Sequence, residues 1–215
     1  MLPSALDAYQ RLIEDVRACH ACARMAHAHV LSQANGPLHA RVLFVAEAVG
    51  RRGGAVTGVP LTRDETGCRF ARFLAIAGID RSACFITNAV LCNPLDARGR
   101  NRTPAPAEAA RCRLHLARTL EVVQAPLVVA LGRVALESLR AIAPHDARIR
   151  EPGMPLPWAG APRTGRTIVA MYHPSRQSTL HRPQPLQDQD WRRLGAIYRG
   201  LCDTRSRAMR CAPAS

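Results

Sequence analysis

A chain of 215 residues with 47% apolar content is long enough to bury a core and too apolar for a disordered polypeptide. It carries 30 basic against 16 acidic residues, a formal charge of +14, and every basic residue is arginine. This balance favours polyanionic partners, whose phosphates and guanine edges match arginine forks. The lack of lysine excludes a lysine Schiff base and a Walker-type phosphate loop.

Residues 4–18 place Leu6, Tyr9, Leu12, Ile13 and Val16 at helical spacing, with Ser4 as a cap. This opening stretch holds Asp7, Glu14 and Asp15 and lacks a signal-peptide pattern. No apolar run reaches the ~18 residues of a membrane span, so a cytoplasmic, nucleoid-associated protein is expected. The helix closes on Cys19-His20-Ala21-Cys22, and His27, His29 and Gly36-Pro37 mark a loop. Residues 41–47 read as a buried strand ending at Glu47, followed by a glycine-rich loop over 50–58. A helix is expected over 66–78 and a second buried strand over 84–90. An Arg-, Asn- and Pro-rich loop spans 93–104, and Pro106 and Glu108 open a helix running to about Val123. A strand over 126–131, a helix over 132–143, a long Pro/Gly loop over 144–166 and a strand over 166–172 follow. A loop through His181 to Pro185 leads to a final helix over 186–201. One domain over 1–201 and a frayed basic tail over 202–215 are expected.

Four apolar strands alternating with helices predict an α/β fold with a mostly parallel sheet covered on both faces. In such sheets ligands bind beyond the carboxyl ends of the strands. The polar residues fall there: Glu47, Asn88, Gly132 and His173. So do arginines in the loops: Arg51 and Arg52, then Arg98, Arg100 and Arg102, then Arg176 and Arg182. A carboxylate such as Glu47 after an apolar run is costly to bury unpaired, which suggests a cleft.

Eight cysteines in a reducing compartment argue for metal ligation or burial over disulfides. Cys19-x2-Cys22 and Cys92-x19-Cys112 supply four thiolates, a set that suits tetrahedral zinc or a [4Fe–4S] cluster, and spacing alone does not separate the two. Cys68 and Cys84 are expected as small buried hydrophobes.

The stretches CHAC, AEAVG, TGVPLTRDETG, FITNAVLC, NRTPAPAE, LGRVAL and YHPS occur in this order over residues 15–200. Together they resemble the iron–sulfur uracil-DNA glycosylases, families 4 and 5 of that superfamily. The resemblance implies a three-layer α/β/α sandwich around a four-stranded, mostly parallel sheet. It implies a structural [4Fe–4S] cluster on Cys19, Cys22, Cys92 and Cys112, with zinc as the second choice. It gives Glu47 as the pocket glutamate, Asn88 as reader of the uracil edge, His173 as stabiliser of the departing base and Asp64 as water base. Ala46, Ala48 and Leu61 would line the pocket, Leu61 standing where the family places a ring that stacks on the base. Ser175, Arg176 and Gln177 would press into the duplex and hold phosphates, with Arg102 as a further DNA contact. Arg100-Asn101-Arg102-Thr103-Pro104 lacks the histidine through which a related branch traps its substrate covalently. The implied activity is hydrolysis of the N-glycosidic bond of uracil in DNA by a monomeric, monofunctional enzyme. The alternatives are a glycosylase for hypoxanthine or xanthine and a non-catalytic, metal-stabilised DNA-binding module.

Overall fold

The computed structural model describes residues 4–159 and 165–210. Helix α1 (Ala5–Arg17) starts at a reciprocal cap: Ser4 Oγ accepts the Asp7 N–H and the Asp7 carboxylate accepts the Ser4 N–H, both at 3.1 Å. Its buried stripe is Tyr9, Leu12, Ile13 and Val16, the face the spacing predicts. Two short strands, β1 (Met25–Ala26) and β4 (Asn93–Pro94), pair antiparallel and join the segment after α1 to the loop after β3 (Cys84–Val90).

The main sheet runs in the order β3, β2 (Val42–Ala48), β5 (Leu127–Leu131), β7 (Arg166–Met171), β6 (Pro155–Trp158). Its first four strands are parallel, and β6 runs antiparallel on the outer edge. The remaining helices are α2 (Gly54–Thr57), α3 (Glu65–Ala77), α4 (Pro106–Val122), α5 (Arg133–Arg140) and α6 (Gln184–Arg210). Because strand side chains alternate, Leu43 and Val45 of β2 pack with α1, α4 and α5, while Val42, Phe44 and Ala46 pack with α3 and α6. On that second face Trp191 of α6 stacks on Phe73 at 5.0 Å and on Phe44 at 5.9 Å. Burying each such phenylalanine contributes about 1.5–3 kcal/mol.

The α/β sandwich is as expected, but the sheet has five strands. The additional strand lies inside the stretch expected as a loop. Pro155 and Pro157 cannot donate to a ladder, and an edge strand is the place in a sheet that tolerates them. Trp158 anchors it, donating Nε1–H to the Ala143 carbonyl at 3.1 Å. Helix α6 also continues past the expected end at 201 to Arg210, and residues 211–215 of the expected tail lie outside the described residues. No helix among the described residues is long and apolar enough to cross a membrane.

Candidate active site and metal centre

Parallel register sets Asn88 of β3 beside Ala46 of β2 and Val90 beside Ala48. Asn88 is 2% exposed, and its Nδ2 has no hydrogen-bond partner. A buried amide donor left unpaired is costly, so it marks a place where a ligand acceptor belongs. Alternation points Asn88 to the α3–α6 face, the side of its strand neighbours Cys84 and Ile86. Leu61 packs on that same face. It sits at φ 52°, and Arg63 at φ 68°, two non-glycine residues in the left-handed region within three positions. Such strain persists only where surroundings enforce it. Here Gly67 of α3 lets the Thr62 backbone approach so closely that a Cβ would meet it at 2.7 Å.

His173 follows β7, pressed over Gly132 at the end of β5, where an added Cβ would lie 3.2 Å from the His173 Cβ. The Ser175 N–H donates to His173 Nδ1 at 3.3 Å. That bond assigns the ring proton to Nε2, leaving an N–H free to donate. The surrounding protein pushes the imidazole down to about 4, so it is neutral at physiological pH. Arg69 of α3 donates Nε–H to the Pro174 carbonyl at 2.9 Å, tying the His173 loop to the helix beside it.

The two carboxylates stand apart. Glu47 alternates to the opposite face from Ala46 and Ala48, is half-buried, and is raised by burial, against the lowering effects of a Thr103 hydrogen bond and the Arg133 charge. Asp64 caps α3, its Oδ1 accepting the Gly67 N–H at 2.9 Å. Its other oxygen lies over Gly50 and Gly53, where a Cβ would come within 2.8 and 2.5 Å. The glycine-rich loop thus wraps a carboxylate. Asp64 opens to a cleft of about 660 Å³ shared with Arg51, Arg52, Arg63, Arg100 and Asn101. The partners Thr103, Arg133 and Arg69 were not singled out from sequence, because nothing local in their motifs tells which strand end they reach.

Arg176 and Gln177 are exposed beside half-buried Ser175, and Leu180 in the same turn is 83% exposed. Arg102, expected at phosphates, is instead turned inward. It forms a two-pronged pair with Glu108 at 2.6 and 2.7 Å and donates to the carbonyls of Leu95, Thr103 and Arg24. Arg182 likewise grips Asp190, which is 1% exposed. Both guanidiniums are paired with a carboxylate inside the fold.

The four cysteines come from three segments: the turn after α1 (Cys19, Cys22), the exit of β3 (Cys92) and α4 (Cys112). Burial pushes the Cys112 thiol up to about 12, against an opposing Leu91 N–H, and the charges of Cys92, Cys19 and Cys22 raise it further. Cys92 is raised by burial as well, and the charges of Cys19 and Cys22 bear on it. Four sulfurs within electrostatic reach of one another suit a shared cation, which displaces their protons. His27 and His29, in the stretch expected as a loop, place ring nitrogens within 4.8 Å of Cys92 Sγ and of each other, a proximity their spacing does not reveal. Cys84 is buried as expected, and Cys68 is exposed, because it falls on the outer side of α3.

Residues 33–195 match the family model described as the uracil DNA glycosylase superfamily. The chain is 31% identical over 162 residues to a type-4 uracil-DNA glycosylase of Thermotoga maritima, covering 75% of this chain and 79% of that one. It is 28% identical over 170 residues to a type-4 enzyme of Archaeoglobus fulgidus, covering 74% and 77%. It is 32% identical over 166 residues to a type-5 uracil-DNA glycosylase of Thermus thermophilus, covering 67% and 68%. The sandwich, the polar residues at its strand ends and these matches agree, and the chain belongs to the uracil-DNA glycosylase superfamily.

Proposed function

We propose that this chain is a monofunctional uracil-DNA glycosylase acting in base-excision repair. The observation that carries the reading is the buried, unpartnered Nδ2 of Asn88 on the sheet face it shares with Leu61. Uracil presents a carbonyl acceptor to such a donor, whereas cytosine presents an amino group and leaves the amide unpaired. The target first leaves the base stack. As the C1′–N1 bond breaks, its electron pair stays on the base and the sugar becomes oxocarbenium-like. His173 donates Nε2–H to the charge growing on the base oxygen, where a preorganised donor helps most. A water attacks C1′ and gives its proton to Asp64, which opens to the arginine-rich cleft. Glu47 faces the other side of the sheet and acts through Thr103 and Arg133 in supporting the strand end. The products are free uracil and an intact abasic site, since the chain has no lysine to open it.

Cys19, Cys22, Cys92 and Cys112 would hold a [4Fe–4S] cluster, and a four-sulfur set drawn from three segments fits that group. Bound there, the cluster supplies cross-linking of α4 to the α1 turn and the exit of β3. The active unit is a single domain that includes α6 through Arg210, a monomer in the cytoplasm that meets uracil-containing DNA. Leu61 favours one second reading, a pocket that also accepts hypoxanthine or xanthine, because no ring stands there to stack.

Single-turnover cleavage of oligonucleotides carrying uracil, hypoxanthine or xanthine tests the substrate class, and no release of any of the three overturns the reading. Asp64→Asn should slow release more than Glu47→Gln; the reverse order assigns the water to Glu47.

A further inference from the structure

The residue after His173 offers a single backbone group by which it can be held. Pro174 has no N–H, so its carbonyl is the handle that is left. Arg69 takes it, donating Nε–H at 2.9 Å across 105 positions of sequence. The same guanidinium lies over Phe73, its carbon 5.5 Å from the ring centroid. Phe73 is fully buried and stacks on Trp191, so the arginine is seated on the core of this sheet face.

A second observation concerns what Arg69 gives up. Its Nη2 is shut off from solvent and has no hydrogen-bond partner. Such a donor is costly to bury. An unbranched apolar side chain would cover Phe73 without that cost, so the guanidinium contributes through its Nε bond and not through packing alone. The fastening of α3 to α6 falls instead to Arg72, which pairs with Asp188 at 2.6 Å. Arg69 also stands five residues after Asp64, the N-cap of α3. The helical rise puts the two about 7.5 Å apart along one rigid element.

We infer that Arg69 is a positioning residue: its bond to the Pro174 carbonyl registers the His173 loop against α3 and so fixes the imidazole relative to Asp64. The inference rests on the roles given above to His173 and Asp64 in uracil release. His173 has to meet the base while Asp64 holds the water at the sugar, and a common helix sets both distances together. A 1 Å misplacement of such a group costs about 100-fold in rate. Arg69 acts through the loop and needs no contact with base or sugar.

Two replacements separate the bond from the charge. In Arg69→Gln the amide nitrogen stands as many bonds from Cα as arginine Nε does, and it still donates. In Arg69→Met the side chain has the same length and no donor. Both are neutral, and both residues suit a helix. Arg69→Met should slow single-turnover uracil release by about tenfold to 100-fold, with affinity for uracil-containing duplex largely kept. Arg69→Gln should recover most of the parent rate at a similar melting temperature. Arg69→Leu, a second variant without a donor, should match Arg69→Met and guards against a folding defect in either. Equal rates in Arg69→Gln and Arg69→Met would overturn the inference. Ring-nitrogen NMR without DNA reads the same tether independently, with the His173 signal assigned by its loss in His173→Ala. The parent and Arg69→Gln should show one tautomer with the proton on Nε2, and Arg69→Met should show a mixture of the two. An unchanged His173 ring in Arg69→Met would overturn the inference whatever the substrate proves to be. A parent protein that releases no base would overturn the catalytic roles, and the NMR comparison would still decide the tether.

Discussion

In the proposed reaction His173 meets a charge that exists only while the glycosidic bond stretches, whereas Asn88 meets the base from the moment it enters. His173→Ala should therefore lower the single-turnover rate by about 100-fold or more, the scale of one lost oxyanion donor, with DNA affinity largely kept. Release at the parent rate would remove His173 from the chemistry. Its neutrality has a second consequence. With the ring held near 4, excision should show no titration at the ordinary histidine value of about 6.5. Stability carries the same signature: between about 6.5 and 4 the unfolded chain takes up a proton that the folded ring refuses. Folding free energy should thus fall as pH drops through that window and level off below it. Chemical denaturation of the parent and of His173→Ala across pH 4–7 reads the difference, which should vanish if the imidazole titrates normally.

Among the elements, the proposed cysteine centre would make the segments bearing the cysteines depend on one another. Cys19→Ala or Cys112→Ala should lower soluble yield and metal content, whereas Cys68→Ala, on the exposed side of α3, should change neither. Arg102 ties the loop after β4 to α4 through Glu108. Arg102→Ala should cost about 1.5–3 kcal/mol in denaturant unfolding and leave the salt dependence of DNA binding as it was; a flattened salt dependence would return Arg102 to the phosphates. The role of Arg102 was not legible in the sequence, since its fork is claimed by Glu108 and by backbone carbonyls as far off as Arg24. Four parallel strands were legible to within a residue or two, because each is a short apolar run buried on both faces. Strand β6 was not: its two prolines argue against a strand everywhere except at an edge, and edge position is a property of the whole sheet. Asn88 and His173 could be placed at strand ends from sequence, but the unpaired amide and the ring tautomer follow from packing. Asp64 could be read as a candidate base, whereas its seat on Gly50 and Gly53 depends on a loop returning from β2.

Across the whole molecule, a charge of +14 carried by arginine sets how the protein meets DNA. Affinity for duplex should fall steeply between low and moderate salt, by about 0.9 power of salt for each phosphate neutralised. The paired variant Arg98→Ala, Arg176→Ala should shallow that slope; an unchanged slope would place the phosphates elsewhere. Two sheet faces also mean two separate cores, and the chain's two tryptophans divide between them. Trp191 lies among Phe44, Phe70 and Phe73, while Trp158 lies on the α1–α4–α5 side against His145 at 6.2 Å. Trp158→Phe and Trp191→Phe therefore turn one polypeptide into two optical probes, each emitting from its own layer. Superimposable fluorescence transitions from the pair would identify the sandwich as one cooperative unit. Transitions that separate would reveal a partly melted state with one layer still intact.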